Sequence, residues 1–172
     1  TLGMIGLGRL GARGARVGHA FDMNVIAWSE NLTAERAVEC GAELVSKAEL
    51  FRQSDIVSVH LILSKRSRGL IGADDLALMK PESYLVNTAR GPIVDEAALL
   101  EVLRDGRIAG AALDVYDQEP LPLDHPLLTL ENTIISPHMA YVTEENLTQF
   151  HRETVEAIAA WLNGQPIRVL EA

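Results

Sequence analysis

Short apolar runs punctuate this chain: "TLGMIG", "NVIAW", "DIVSVHL", "SYLVNT", "IAGAALDV" and "NTIISP". They are rich in aliphatic and β-branched residues and show little polar alternation, the pattern of strands buried on both faces of a sheet. Between them, helical patterns run over residues 10–20, 33–40, 47–53, 74–79 and 95–104. "GAELV" at 41–45 fits a further short strand. Strand, helix, strand repeated this often predicts crossover units, hence an α/β fold with a doubly wound parallel sheet. A long final helix is expected after Thr143 as N-cap, stopped by Gly164 and Pro166. Residues 1–142 are therefore read as one domain, and 143–172 as a C-terminal helix and tail.

Composition narrows the classes. With 172 residues and 48% hydrophobic positions, the chain can bury one substantial core. A formal charge of −9 argues against nucleic acid as a partner. No apolar run approaches the roughly 18 residues of a membrane span. Cys40 is the only cysteine, so no internal disulfide and no multi-cysteine metal site is expected, and a reducing cytoplasm is the expected compartment.

The first strand runs into "GLGRLG", Gly6 to Gly11, and a helix follows. In that context the glycines read as a Rossmann-type dinucleotide-binding turn. Gly6 permits the tight turn, Gly8 lets backbone approach a phosphate, and Gly11 lets helix and strand pack closely. The amides of Arg9 and Leu10 would face the pyrophosphate at the positive end of the helix. An acidic residue about 20 positions on would bind the adenine ribose. Here Ser29 follows "NVIAW" and Glu30 comes next, so NAD is favoured and NADP is left open.

Three polar residues follow later strands: Arg90 after "YLVNTA", Glu119 after "AALDVYDQ" and His138 after "IISP". Ligands of open α/β sheets bind at the carboxyl ends of the strands, where these residues fall. A guanidinium can hold a substrate carboxylate, and an imidazole can exchange a proton with a C2 oxygen. A neighbouring carboxylate would orient that imidazole and favour its charged form. His19 and His151 read as helix-surface residues and His125 as a loop residue.

"GLGRLG", "LVNTARGPIVDEAAL", "GAALDVYDQEPLP" and "SPHMAYVTEE" together resemble the cofactor domain of the D-isomer-specific 2-hydroxyacid dehydrogenases. The resemblance runs in order from the first residues to the last helix. It implies hydride transfer between a D-2-hydroxy acid and its 2-keto acid, with NAD or NADP as cofactor and no metal. It assigns Arg90 to the substrate carboxylate and carbonyl, His138 to acid–base work and Glu119 to pairing with His138. It places Asp114 at the nicotinamide carboxamide, Thr88 and Ala89 along the cofactor, and His60 on the adenosine side. Formate dehydrogenases of this superfamily carry glutamine where Glu119 stands, so the glutamate points to 2-hydroxy or 2-keto acids. The chain departs from the family pattern at Ile62, Ser64 and Tyr141. Ile62 and Ser64 affect local loop shape, and Tyr141 bears on pocket width. A homodimer through the cofactor domain is also implied, with residues 66–72 near the contact.

Family members carry a second lobe, assembled largely from residues before the glycine turn. The expectation is therefore a cofactor-binding part of a longer enzyme, one that binds NAD(H) but scarcely turns over 2-keto acids alone. A non-catalytic NAD(H)-sensing interaction module of corepressor type is the alternative, with a different Rossmann enzyme behind it.

Overall fold

A computed structural model describes residues 1–170. The chain groups into two compact units, Thr1–His138 and a second that begins at Met139. The first holds a parallel sheet of seven strands among the described residues. These are β1 (Leu2–Ile5), β2 (Val25–Trp28), β3 (Glu43–Leu44), β4 (Ile56–Val59), β5 (Tyr84–Asn87), β6 (Gly110–Leu113) and β7 (Thr133–Ile135). Their order is β3-β2-β1-β4-β5-β6-β7. The chain winds outward from β1 to β3, then crosses back to β4 and winds the other way. The switch between β1 and β4 is where such sheets open a crevice for ligands.

Register places the site. Ile5 lies opposite Trp28 and Val59, Val59 opposite Asn87, Asn87 opposite Leu113, and Leu113 opposite Ile135. Six strands therefore end level. The next residue of each, Gly6, Ser29, His60, Thr88, Asp114 and Ser136, falls in one row along the carboxyl edge of the sheet.

The alternation of side chains along the strands builds two apolar layers. Leu2, Met4, Val25 and Ala27 join Ala15 and Ala42 in one cluster. Ile5, Ile26, Val57, Val59 and Leu85 join Leu50, Phe51, Leu76, Leu99 and Leu103 in the other. The helices of this unit are α1 (Arg9–Ala20), α2 (Ala34–Glu39), α3 (Lys47–Gln53), α4 (Ala73–Leu76) and α5 (Glu96–Arg104), and all but α2 add residues to these layers. Thr33, Ser46 and Asp95 cap α2, α3 and α5 with their side chains. The buried face of α1 is Gly11, Ala15 and Gly18, a stripe of small residues rather than large apolar ones. Close approach to β1, not side-chain bulk, holds this helix.

Burial of strands on both faces holds for the central strands and fails at the edges. Both residues of β3 are exposed and the middle of β7 is exposed, because an outer strand has a neighbour on one side only. The 41–45 strand shrinks to two residues for the same reason. The helix expected at 74–79 is α4, over Ala73–Leu76, and its continuation to Met79 consists of i→i−3 turns before Pro81.

In the second unit, α6 (Glu144–Leu162) starts from a Thr143 cap that accepts from the Asn146 amide. Asn146 also donates to the Tyr141 carbonyl at 2.6 Å, and Phe150 stands 6.1 Å from Tyr141, ring centre to ring centre. Gly164 takes a positive φ just past the helix, as its place after the last turn requires.

Candidate active site

The glycine turn is shaped by contacts that admit no side chain. Gly6 has φ +97, and a Cβ there would stand 2.6 Å from the His60 carbonyl oxygen. At Gly11 a Cβ would stand 2.1 Å from the Gly6 carbonyl oxygen. Gly8 is the opposite case, with nothing within 4 Å of an added Cβ. It begins α1 without any side-chain cap, and the first turn holds no acidic residue. The free N–H groups of a helix start carry partial positive charge, so this end is built to receive an anion from outside the chain.

Above the turn lies a cleft of about 1100 Å³. Gly6, Gly8, Arg9, Leu10, Ser29, His60, Thr88, Ala89 and Arg90 all line it. Glu30, Asn31 and Arg36 line its wall near the end of β2, and Arg36 is paired with Glu39 at 3.1 Å. Gly11 lies beneath the cleft, buried in α1. His60 is partly buried, with Nε2 2.9 Å from the Ser58 hydroxyl, and burial pushes its imidazole below the ordinary histidine value. An uncapped helix start, open space over Gly8 and a cleft of this size fit a dinucleotide.

Glu119 and His138 stand together, with Nδ1 of His138 2.7 Å from Oε2 of Glu119. Oε1 of Glu119 accepts from the Tyr116 amide at 3.0 Å. Burial acts to raise the Glu119 carboxyl. Hydrogen bonds from His138 and the Tyr116 amide, with the charges of His138 and Arg90, prevail and hold it below the usual carboxylate value. His138 takes φ +53, a conformation costing a non-glycine residue about 1 kcal/mol or more. The pair opens on a second, apolar cavity of about 580 Å³, walled by Pro120, Leu121, Leu128, Ile135 and Pro137.

Arg90 lines the dinucleotide cleft and the pair lines the second cavity, so the three residues do not share one pocket. What joins them is backbone contact. A Cβ on Gly91 would stand 2.0 Å from the Tyr116 carbonyl carbon, so the Arg90 loop lies directly against the loop leading to Glu119. The Arg90 side chain donates from Nη1 to the Ala89 carbonyl at 2.6 Å. Asp114 is buried, accepts from the Ser136 hydroxyl and does not line the cleft.

Sequence reasoning passed over two residues here. Asn87, buried at the end of β5, accepts from the Ala89 amide and donates to the Arg90 carbonyl, each at 3.0 Å, and so fixes the turn that presents Arg90. Gly91 is the other. An asparagine closing an apolar strand was the available signal for the first. Nothing local signalled the second, because its constraint comes from Tyr116 in another loop.

A parallel sheet with its crevice at the switch point, a glycine turn under an uncapped helix and a histidine–glutamate pair on the same edge define a dinucleotide-binding domain of an oxidoreductase. Residues 1–140 match the family model "D-isomer specific 2-hydroxyacid dehydrogenase, NAD binding domain", and the chain belongs to that family. Its cofactor is NAD. A glyoxylate reductase of Aeropyrum pernix is 45% identical over 165 residues, covering 96% of this chain and 49% of that protein. A Ralstonia solanacearum oxidoreductase described as a D-3-phosphoglycerate dehydrogenase superposes with TM-score 0.91 at 39% identity, over 98% of this chain and 49% of that one. D-lactate dehydrogenase from Aquifex aeolicus, complexed with NAD and lactic acid, superposes with TM-score 0.81 at 35% identity, over 95% and 54%. The chain thus spans about half the length of these three relatives. No helix of the described residues is long and apolar enough to cross a membrane.

Proposed function

We propose that this chain is the cofactor half of an NAD-dependent D-2-hydroxyacid dehydrogenase that interconverts a small 2-keto acid and its D-2-hydroxy acid. The observation that carries the reading is the 2.7 Å pair between His138 Nδ1 and Glu119 Oε2 on the carboxyl edge of a dinucleotide-binding sheet. The nicotinamide supplies or accepts the hydride when bound. The amides of Arg9 and Leu10 hold the pyrophosphate, with Gly8 giving it room. Ser29 serves the adenine ribose, and Glu30 in the same wall disfavours a 2′-phosphate. His60, Thr88 and Ala89 complete the bed, and Asp114 serves the nicotinamide carboxamide.

Arg90 holds the substrate carboxylate through its planar fork and polarises the carbonyl. Because Glu119 occupies Nδ1, the proton that His138 exchanges with the C2 oxygen is the one on Nε2. A carboxylate held ionised keeps the imidazole in that orientation. The remaining wall of the substrate site belongs to the second lobe, so this chain alone binds NADH with little turnover. Closure of two lobes over reacting atoms accounts for much of the rate in such enzymes.

The test is NADH oxidation with a panel of 2-keto acids, run on a polypeptide carrying both lobes and on this chain alone. Turnover of at least one keto acid by the former, lost in Arg90→Ala and His138→Gln, supports the reading. Turnover that survives both substitutions overturns it.

A further inference from the structure

The acid–base pair depends on two turns, one carrying Glu119 and one carrying His138, and Tyr116 is hydrogen-bonded to both. Tyr116 is buried in the loop that follows β6, three residues past Leu113. Its amide donates to Oε1 of Glu119 at 3.0 Å. Its hydroxyl lies 2.8 Å from the carbonyl oxygen of Ser136 and 3.1 Å from that of Leu113, so its one proton goes best to Ser136. The Ser136 carbonyl also accepts from the amide of His138 at 3.0 Å. Phenol and amide therefore share one oxygen, and that shared oxygen closes the turn in which His138 takes its positive φ.

We propose that Tyr116 is the positioning residue of the acid–base pair, setting Glu119 through its amide and the His138 turn through its hydroxyl. The proposal rests on the reading of His138 as the acid–base group. Without the hydroxyl, the His138 turn keeps its internal amide bond and the Ser136 bonds to Leu113 and Asp114, and loses the bond that Tyr116 makes to the oxygen closing the turn. The imidazole then samples orientations in which Nδ1 no longer meets Glu119. The Leu113 carbonyl is already satisfied by the Ser136 amide at 2.9 Å, so the loss falls on the turn rather than on the sheet. Burial, with Asp114 and Glu119 adding to it, raises the phenol above its ordinary value, so Tyr116 remains a donor at every pH where the enzyme would work.

Tyr116→Phe keeps the ring and the amide and removes only the hydroxyl. In wild type, nitrogen NMR of the His138 ring shows a slowly exchanging proton on Nδ1. In the variant that proton exchanges about tenfold faster, while NADH affinity stays within about twofold. In the polypeptide carrying both lobes, kcat falls about three- to tenfold, as loss of one neutral hydrogen bond allows, and the KM for NADH is unchanged. An unaltered ring spectrum with unaltered kcat overturns the proposal. So does a loss shared equally by NADH affinity and kcat, which marks a general structural defect. Should the variant fail to fold, the wild-type protein still decides. A Tyr116 hydroxyl proton protected from exchange and close to the His138 amide supports the proposal, and one that exchanges freely with water refutes it. Absent keto-acid turnover in wild type, with these signatures intact, counts against the function and leaves the positioning supported.

Discussion

Gly8 and Gly11, three residues apart, do opposite jobs, and alanine at each separates them. At Gly11 the added carbon must move from 2.1 Å to the 3.4 Å at which ordinary contact with the Gly6 carbonyl begins. Both partners are backbone, so no rotamer relieves the clash, and α1 has to retreat from the end of β1. Overpacking of this kind costs about 1–3 kcal/mol, and alanine's helix preference returns about 0.8–1 kcal/mol. Because the clash is rigid, a net loss of about 2 kcal/mol is expected, lowering Tm by about 4–8 °C for a chain of this size. At Gly8 the backbone has φ −70, and the new methyl meets no atom within 4 Å. Stability should change by no more than about 0.5 kcal/mol. That methyl occupies the space over the helix start, so Kd for NADH should rise about tenfold or more. Thermal unfolding and fluorescence titration with NADH on wild type, Gly8→Ala and Gly11→Ala test both halves. Wild-type affinity in Gly8→Ala, or wild-type Tm in Gly11→Ala, refutes the reasoning.

Glu119 titrates below the usual carboxylate value, so the unfolded chain binds its proton first as pH falls. The stability contributed by its pair with His138 is fully present above about pH 4.5 and is lost as pH falls through the folded value. Acid unfolding of Glu119→Gln should show a shallower slope in that window than wild type. His60 is depressed by burial, so its neutral form belongs to the folded state. Stability should fall as pH drops below about 6.5, and urea unfolding of His60→Gln should be flatter between about pH 7 and pH 5. Gly91→Ala drives a carbon into the Tyr116 backbone and parts the Arg90 loop from the Glu119 loop. With both lobes present, kcat/KM for the keto acid should fall about tenfold or more while NADH binding, measured by calorimetry, changes little.

Much of the fold is legible from local pattern. Buried central strands such as Leu2–Ile5 and Val25–Trp28 are apolar throughout, and capped helices announce their starts at Thr33, Ser46, Asp95 and Thr143. The edges are less legible, because exposure of β3 depends on having no outer neighbour, which no local pattern records. Helix α1 was readable through its glycine turn, although its buried face is made of glycine and alanine. The candidate residues were readable because each follows a strand, and a parallel sheet in level register brings such positions into one row. Residues that fasten that row were not. The Asn87 side chain bonds to Ala89 and Arg90 in its own loop, and its local signal was passed over. Gly91 and Tyr116 meet groups reached through space, and those contacts exist only after the sheet order has set β5 beside β6 and β6 beside β7.

The most direct measurement is a crystal structure of this chain grown with NAD. The account predicts the pyrophosphate on the amides that follow Gly8, the adenine ribose beside Ser29, and the nicotinamide ring between Arg90 and the Nε2 side of His138. A dinucleotide bound elsewhere on the sheet edge would contradict it, as would a nicotinamide out of reach of both side chains.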